Sequence, residues 1–337
     1  MRAAVLRAFG QPLALEEIAE PSLAEDEVLI RVEACGVCHS DLHVAEGDWP
    51  QFASIVKLPL VLGHEIAGRV VKTGSRVSDV EIGARVGLPW IYWTCGECAA
   101  CREGNENLCS RQSITGVTVD GGYAEFVKAK ASHVVPIPEP LSAVEAAPLF
   151  CAGVTVYRAL EKASVAHGQK LAIFGIGGLG HLAVQIAREM GAEVIAVDVH
   201  EEKIELAKKL GAAEGLVAQE AGKRLRKAGG VHVALVTSAA KAAYDVAFQA
   251  LRPGGILLVV GLPAENICFP TIMMAAREVR VRATAVGTRQ DVREVLAMAA
   301  AGKIRCLLST TKLEGVNDAL SQLRQGSVTG RIVLNWN

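Results

Sequence analysis

The chain has 337 residues, of which 51% are hydrophobic and 21% charged, and its 35 basic and 36 acidic side chains leave a net charge of −1. This length and composition allow two domains with substantial cores and exclude a disordered chain. The balanced charge gives no electrostatic reason to expect nucleic acid or an anionic membrane as a partner.

The sequence also indicates a cellular compartment. No apolar run reaches the length of a transmembrane helix, and the N-terminus lacks the apolar core of a signal peptide. The nine cysteines are an odd number, and without an export signal they do not suggest a disulfide framework. We therefore expect a cytoplasmic protein.

The N-terminal part of the chain alternates short strand-like runs with turn signals. Such runs occupy residues 3–6, 27–32, 66–71 and 85–87, and Gly, Pro, Asp and Ser separate them. This pattern predicts a β-rich, barrel-like domain.

Three residues in this part form a candidate metal site. Cys38, His64 and Cys151 are far apart in the sequence, but two cysteines and one histidine are a ligand set of catalytic zinc, whose fourth position stays open. Taken singly, each is explained equally well as a buried packing residue. Cys35 forms a CxxC with Cys38, but redox CxxC pairs lie in βαβ patterns, so we interpret Cys35 as packing.

A second candidate metal site lies within one short stretch that contains Cys95, Cys98, Cys101 and Cys109. Four thiolates at this spacing can all ligate one tetrahedral ion. An iron–sulfur cluster is an alternative, but the run lacks the Cys-Pro ending of ferredoxin motifs. Because four cysteines leave no open position, we expect structural zinc that stabilises a loop and carries no chemistry.

After Cys151 the pattern changes to alternating strands and helices. A strand-like run at 170–174 leads into the turn Gly175-Ile-Gly177-Gly178-Leu-Gly180, a helix follows through Met190, and a second strand at 193–198 ends in Asp198. A GxGxxG between strand and helix, with an acid about 20 residues on, is the full dinucleotide fingerprint. Asp198 can accept hydrogen bonds from the ribose hydroxyls and would repel a 2′-phosphate, which favours NAD over NADP.

The remaining runs complete the predicted fold. Strands around 233–237, 256–260 and 279–285 complete, in outline, a doubly wound parallel sheet for which we predict six strands. A helix through Ala301 and a strand at 331–334 follow. The fold class is therefore α/β, with a β-rich catalytic domain beside a Rossmann domain.

These motifs together resemble the zinc-dependent alcohol dehydrogenases of the medium-chain dehydrogenase/reductase family. The residues that carry the resemblance are Cys38-His-Ser-Asp-Leu-His43, Gly63-His64-Glu65, the four-cysteine run, Cys151 and the glycine-rich turn. It implies a GroES-like domain over 1–152 with a zinc lobe at about 90–112, a Rossmann domain over 153–287 and a return of 288–337 to the first domain. It also implies two zinc ions, NAD, a small alcohol or aldehyde substrate, and a homo-oligomer, a tetramer rather than a dimer.

The resemblance assigns further roles around the catalytic zinc. Glu65 is a carboxylate beside the metal, and Asp41 is the hydrogen-bond partner of His64. A proton relay runs from the Ser40 hydroxyl through the nicotinamide ribose to His43, whose ordinary pKa near 6.5 suits this task. Trp49, and Trp90 or Trp93, align with aromatic residues of the substrate pocket, and the stretch 49–58 is a few residues longer than in yeast-like members.

The resemblance also assigns cofactor contacts. These are His39 and Arg331 at the phosphates, Thr155 at the nicotinamide, Lys203 at the adenosine ribose, Leu179 in the glycine-rich turn, and Val260, Gly261 and Val286 where the backbone passes the cofactor. Ordinary explanations stay open for several of them. His39 and His43 could be exposed loop histidines, and Lys203 could be a solvated helix lysine.

Two alternative functions stay open, a polyol dehydrogenase and a zinc-stabilised NAD-binding protein without catalytic activity. Polyol dehydrogenases usually replace the third zinc ligand by a carboxylate, whereas this chain has Cys151. A zinc-stabilised NAD-binding protein without turnover would have no need of an open metal position or of Ser40. The sequence leaves open which alcohol is preferred and in which direction the reaction runs.

Overall fold

The computed structural model describes residues 1–49, 53–263 and 265–336. Residues 50–52 of the long 49–58 stretch lie outside this described part. The strands are β1 (Arg2–Leu6), β2 (Ala14–Glu17), β3 (Glu27–Val37), β4 (Leu60–Val61), β5 (Glu65–Thr73), β6 (Arg85–Leu88), β7 (Ile91–Trp93), β8 (Ser113–Ile114), β9 (Phe126–Lys130), β10 (Val135–Pro136), β11 (Lys170–Phe174), β12 (Glu193–Asp198), β13 (Glu214–Val217), β14 (Val231–Val236), β15 (Leu251–Val259), β16 (Arg280–Ala283), β17 (Leu308–Thr311) and β18 (Arg331–Asn335).

The α-helices are α1 (His39–Glu46), α2 (Ala99–Arg102), α3 (Ala143–Ala146), α4 (Ala152–Lys162), α5 (Gly180–Glu189), α6 (Glu201–Lys209), α7 (Ala218–Lys227), α8 (Lys241–Ala250), α9 (Thr271–Arg277), α10 (Arg289–Ala300) and α11 (Val316–Arg324). Short 3₁₀ helices span Glu106–Leu108, Ala131–His133, Ala147–Phe150 and Leu313–Gly315. The sequence had predicted neither α1 nor α11. No single helix in the described ranges is long and apolar enough to cross a membrane; only the bent pair Ala143–Phe150 and Ala152–Lys162 meets the criteria together, by length and composition.

The chain divides into two compact units. The first comprises Met1–Val154, Val286–Gly302 and Cys306–Asn337, and the second comprises Thr155–Ala285 with Lys303–Arg305. The predicted domain boundaries, after residues 152 and 287, stay a prediction; the return of 288–337 to the first domain did not include an excursion of Lys303–Arg305 to the second unit.

The first unit is built on a seven-stranded sheet in the order β10-β6-β5-β3-β18-β17, with β9 also paired to β3. The long strand β3 is its organising element, because it pairs antiparallel with β5, β9 and β18. Its apolar residues are almost entirely buried, as expected for a central strand. A smaller sheet, β2-β1-β4, belongs to the same unit.

The second unit contains the predicted doubly wound sheet. Its six parallel strands have the order β13-β12-β11-β14-β15-β16, which confirms the six-stranded prediction. The runs at β11, β12 and β14 are buried and rich in Val, Ile and Leu, the composition of parallel strands covered on both faces. Strand β16 is exposed and forms one end of the sheet.

Candidate active site

The distant residues Cys38, His64 and Cys151 converge in the first unit. Together with Glu65, their ligand atoms lie within 4.8 Å of one another, and all four residues are buried. The two sulfurs are 3.9 Å apart, and a tetrahedral zinc with bonds of about 2.3 Å requires about 3.8 Å. His64 Nε2 and Glu65 Oε2 are buried and lack a hydrogen-bond partner among the described residues. This donor set fits a metal ion, which would satisfy both atoms.

Neighbouring strands explain the convergence. Strand β3 ends one residue before Cys38, and β5 begins at Glu65, directly after His64. In the antiparallel register Gly36 lies opposite Glu65, so the ends that carry the ligands are side by side. A side chain at Gly36 would place its Cβ 1.8 Å from Glu65 Oε2, so any larger residue there would displace the Glu65 carboxylate from the cluster. Cys151 follows the 3₁₀ helix Ala147–Phe150.

Cys35 stays apart from this cluster. Its side chain is fully buried, and it is not among the cysteines of either metal-like group. Burial raises the pKa of its thiol well above the usual value, so the neutral form is favoured. These observations agree with its interpretation as a packing residue.

Asp41 organises the surroundings of His64. Its Oδ1 lies 2.9 Å from His64 Nδ1 and accepts a hydrogen bond of 3.2 Å from the Gly63 N–H. Its Oδ2 accepts a hydrogen bond of 3.0 Å from the Cys38 N–H, which caps helix α1. A carboxylate on Nδ1 fixes the tautomer that presents Nε2 to a metal. The structure thus brings Asp41 to the position that the resemblance implied.

The charges of Glu65 and Arg331 offset each other beside the metal-ligand cluster. Arg331, which is 2% exposed, donates a hydrogen bond to Glu65 Oε1. Burial raises the pKa of Glu65 to about 7, against the opposing effect of the Arg331 charge. The hydrogen bond from the Cys151 thiol lowers the pKa of Cys38 well below its usual value. One thiolate is therefore already favoured before a metal binds.

The proposed relay residues lie on helix α1. Ser40 and His43 are separated by three positions and both are partly buried. His43 Nδ1 lies 2.9 Å from Asp48 Oδ2, and its ring stacks on Trp49 at 4.5 Å between centroids. His39 is exposed at the start of the helix.

The second tryptophan of the predicted substrate pocket contacts a metal ligand. The Trp90 ring meets His64 edge-on, with 4.8 Å between centroids and an interplanar angle of 90°. Trp93, the alternative, ends strand β7 and is partly buried.

The four-cysteine run also forms one cluster. The ligand atoms of Cys95, Cys98, Cys101 and Cys109 lie within 4.8 Å of one another. The sulfur of Cys95 is 3.9 Å from that of Cys101 and 3.5 Å from that of Cys109. All nine cysteines are described and each is a free thiol. Four converging sulfurs suit a closed tetrahedral zinc site.

In the second unit the glycine-rich turn has the shape that a dinucleotide requires. Gly175 has a φ of 100°, and a Cβ at Gly180 would lie 2.0 Å from the Gly175 carbonyl oxygen. A Cβ at Gly177 would meet no atom within 4 Å, which leaves open space beside the backbone. Asp198 Oδ2 accepts a hydrogen bond of 2.6 Å from the Ile176 N–H, so the acid lies at the turn itself. These features fit a pyrophosphate and ribose.

The other predicted cofactor residues are distributed over both units. In the second unit Thr155, Gly178, Leu179 and Lys203 are partly buried, and Val260 and Gly261 are buried at the end of β15. In the first unit Val286 has a φ of 39°, a strained conformation for a β-branched residue that often occurs at functional sites. Arg331, expected at the cofactor phosphates, donates from its guanidinium to Glu65, and its contact with the phosphates stays a prediction.

Sequence reasoning missed several partners of the site. Tyr123 donates a hydrogen bond of 2.8 Å to Asp41 Oδ2. The carboxylate of Asp48 contacts the His43 ring, and Arg331 pairs with Glu65. None of these pairs has a local spacing signal. Tyr123 and Asp41 are 82 positions apart, and Arg331 and Glu65 are 266 apart.

Comparisons with known proteins agree with this geometry. Residues 24–139 match the family described as alcohol dehydrogenase GroES-like domain, and residues 178–301 match zinc-binding dehydrogenase. An alcohol dehydrogenase of Geobacillus stearothermophilus is 46% identical over 339 residues, 99% of this chain and 99% of that protein. The structure of the alcohol dehydrogenase from the hyperthermophilic archaeon Aeropyrum pernix matches with a TM-score of 0.93 and 36% identity, over 99% of this chain and 100% of that chain.

A third relative was solved with a cofactor. Acetophenone reductase from Geotrichum candidum NBRC 4597, in complex with NAD, matches with a TM-score of 0.90 and 31% identity, over 99% of this chain and 96% of that chain. The chain belongs to the zinc-type alcohol dehydrogenases of the medium-chain dehydrogenase/reductase family. This confirms the predicted family, the GroES-like plus Rossmann fold class, the enzyme class and the cofactors zinc and NAD.

Proposed function

We propose that this enzyme transfers hydride reversibly between a primary or secondary alcohol and NAD, giving an aldehyde or ketone and NADH. The observation that carries the proposal is the buried cluster of Cys38, His64, Cys151 and Glu65. Two thiolates and one imidazole are a ligand set of catalytic zinc, which would leave the fourth position to Glu65 or to the substrate oxygen. A polyol dehydrogenase is less well supported, because Cys151 occupies the place of the carboxylate that this branch usually carries.

Bound zinc supplies a Lewis acid that polarises the substrate oxygen, and NAD supplies the hydride acceptor. The side chains of Cys38, His64 and Cys151 would hold the metal, and Asp41 orients the imidazole of His64. Glu65 stands beside the three ligands and is charge-balanced by Arg331. Trp90, edge-on to His64, and Trp49 limit the space available to the substrate's carbon chain.

A proton must leave when an alcohol is oxidised. We assign its path to the Ser40 hydroxyl, which would accept this proton as it passes its own through the nicotinamide ribose to His43; the two residues are three apart and share one face of helix α1. The His43 side chain is 18% exposed, which gives it access to solvent. His43→Gln should slow alcohol oxidation most at neutral pH, by up to about 10²-fold. Added buffer base should restore much of the rate; a wild-type pH profile would exclude His43 from the path.

Cofactor choice is assigned to Asp198. Its two oxygens accept hydrogen bonds from the Ile176 and His200 N–H groups, so the carboxylate is held at the glycine-rich turn. Asp198→Ala should lower kcat/KM for NAD and narrow the preference over NADP, because ribose hydrogen bonds and the repulsion of a 2′-phosphate are both lost. An unchanged preference would assign cofactor choice to another group.

The test of the whole proposal combines an assay with metal analysis. The purified chain is incubated with NAD and with ethanol, butanol or benzyl alcohol, and NADH formation is followed by absorbance. We expect turnover with at least one alcohol and two zinc ions per chain. Cys151→Ser is the control variant and should have one zinc ion and no turnover. One zinc ion in the active wild type, or stoichiometric iron, would contradict the assignment.

We also propose a cytoplasmic homo-oligomer, a tetramer rather than a dimer. None of the nine cysteines, all of which lie in the described part of the chain, forms a disulfide, which suits a reducing compartment. In the second unit the side chain of Ile272 is 78% exposed and that of Leu262 is 50% exposed, and the end strand β16 is also exposed. Exposed apolar residues and an unpaired strand edge are each features of association surfaces. Light scattering on the wild type and on Ile272→Lys would measure the assembly and its dependence on this surface.

A further inference from the structure

A buried tyrosine extends the hydrogen-bond chain behind the metal ligand His64. The Tyr123 side chain is fully buried, and its phenol donates a hydrogen bond of 2.8 Å to Asp41 Oδ2. The other oxygen of Asp41 is 2.9 Å from His64 Nδ1. Tyr123, Asp41 and His64 thus form a continuous chain that ends at the unpartnered Nε2 of His64.

The surroundings of Tyr123 fix its position. Its backbone N–H donates to the Leu62 carbonyl at 2.9 Å, and its carbonyl accepts from the Ala4 N–H at 2.8 Å. Its ring packs against Gly63, where a Cβ would lie 2.5 Å from the ring. The two backbone hydrogen bonds and the packing on Gly63 therefore fix the position of the phenol relative to Asp41.

We propose that Tyr123 is a positioning residue for the catalytic metal centre. Its hydroxyl holds the Asp41 carboxylate in the one orientation that serves both His64 and the backbone at Cys38. The inference rests on the proposed function, because it takes the Cys38–His64–Cys151 cluster to be a zinc site.

The chemistry of the carboxylate supports this role. Asp41 receives four hydrogen bonds, two on each oxygen, from His64, Gly63, Cys38 and Tyr123. Two of these donors are backbone N–H groups of a ligand, Cys38, and of the residue before a ligand, Gly63. A rotation of the Asp41 carboxylate would break both backbone hydrogen bonds, and so would disturb the loop of Cys38 and the loop of His64 at the same time. Tyr123 is the only side-chain hydroxyl among the four donors, and phenylalanine could fill the same space without this bond.

The expected change in zinc release depends on how many hydrogen bonds separate Tyr123 from the metal ligand His64. Loss of a group that hydrogen-bonds directly to a metal ligand commonly reduces metal affinity by 10- to 100-fold. Tyr123 is one bond further away, and Asp41 retains its other three donors in Tyr123→Phe. We therefore expect zinc to leave the catalytic site about 3- to 10-fold faster in this variant.

The experiment compares Tyr123→Phe with wild type as full-length zinc-loaded enzymes. Zinc release into a chromogenic chelator is recorded in parallel with loss of activity, which identifies the ion that leaves the catalytic site. The visible absorption spectrum after cobalt replaces this zinc gives a second readout of ligand geometry. We expect faster release and altered cobalt bands in Tyr123→Phe.

Tyr92→Phe is the matched control. Tyr92 is also buried in the first unit, and its hydroxyl donates a hydrogen bond of 2.9 Å to a carboxylate, that of Glu27. That carboxylate is not among the groups that contact Cys38, His64 or Cys151 in the described structure. Tyr92→Phe should therefore lower thermal stability without changing release from the catalytic site or its cobalt spectrum.

A double-mutant cycle tests whether Tyr123 acts through Asp41. In Asp41→Ala the phenol has no partner left on residue 41, so adding Tyr123→Phe should accelerate release no further. Wild-type release and spectrum in Tyr123→Phe, or an equal acceleration in the Asp41→Ala background, would overturn the inference and leave the proposed function standing. If wild type holds no zinc at this cluster, both proposals fail.

Discussion

The two cysteine clusters of the first unit are assembled in different ways. The cluster at Cys95–Cys109 comes from one short stretch, and three of its four cysteines are only partly buried. The other cluster joins Cys38 to a cysteine 113 positions away, and every member is buried. A local cluster needs little beyond its own loop, whereas a distributed cluster exists only when the whole unit has folded.

The groups around the clusters differ as well. Backbone N–H groups of Glu97 and Cys98 lower the pKa of Cys95 to about 6, so hydrogen bonds from the backbone of this turn favour the thiolate form of Cys95. Around Cys38 and His64 the supporting groups are charged or hydroxyl side chains, Asp41, Arg331 and Tyr123. Buried charges are costly unless paired, so the paired charges around Cys38 and His64 support our proposal that this cluster performs the chemistry and that the Cys95–Cys109 cluster stabilises the fold.

Removing a ligand from the distributed cluster should have the largest effect on activity. Cys151→Ser should lower kcat by at least about 10³-fold, because metal polarisation of the substrate contributes several kcal/mol. Its unfolding temperature should fall only slightly, since the surrounding strands remain paired. Steady-state kinetics and thermal unfolding measure both quantities. A large loss of stability with retained turnover would reverse the roles assigned to the two clusters.

The local cluster should respond in the opposite way. Cys101→Ser should release the structural zinc and lower the free energy of unfolding by several kcal/mol, with a decrease in Tm of about 10 °C, because metal-binding energy at a closed site is folding energy. At low temperature the folded variant should keep most of its kcat. Wild-type Tm with lost turnover would show that this zinc takes part in catalysis.

Sequence patterns predicted the local features and missed the distant ones. The four-cysteine run and the glycine-rich turn have fixed spacings, so the sequence identified them directly. Helix α1 was missed because it is short and is capped by a pair, Cys38 and Asp41, that lies outside the usual capping residues.

The pairing of Arg331 with Glu65 illustrates what sequence cannot supply. The resemblance implies that Arg331 binds the cofactor phosphates, which stays a prediction; it gave no sign that the guanidinium also pairs with the buried carboxylate beside the metal ligands. The residues meet because strands β5 and β18 both pair with β3, one on each side. Only the sheet order contains this information.

The loop that carries the local cluster is attached to the start of helix α10 by an ion pair. Glu106, which lies between Cys101 and Cys109, accepts hydrogen bonds of 2.8 Å from the Arg289 N–H and 2.6 Å from its guanidinium. The two side chains are only 13% and 26% exposed. Glu106→Gln should therefore cost about 1–3 kcal/mol of unfolding free energy, measured by denaturant unfolding.

Glu97→Gln provides the control within the same lobe. Glu97 pairs with Arg111, and these side chains are 72% and 53% exposed. Solvent screens such pairs, so no measurable loss of stability is expected. If the two variants lose equal stability, the Glu106–Arg289 pair has no special part in holding the lobe.

The smallest expected effect is a pH dependence near the local cluster. His133 Nε2 accepts a hydrogen bond of 3.0 Å from the N–H of Thr94, the residue before Cys95, and this requires an unprotonated nitrogen. Burial, with the nearby charge of Arg289, lowers the pKa of His133 to about 4. The unfolded chain, with a pKa near 6.5, binds this proton first, so stability is present above pH 6.5 and is lost as the pH falls toward 4. Between pH 7 and 5.5 the loss should be about 1 kcal/mol. In His133→Gln, which can still accept from Thr94, the unfolding free energy should fall less over this interval, and parallel pH curves for the two proteins would show that His133 titrates normally in the folded state.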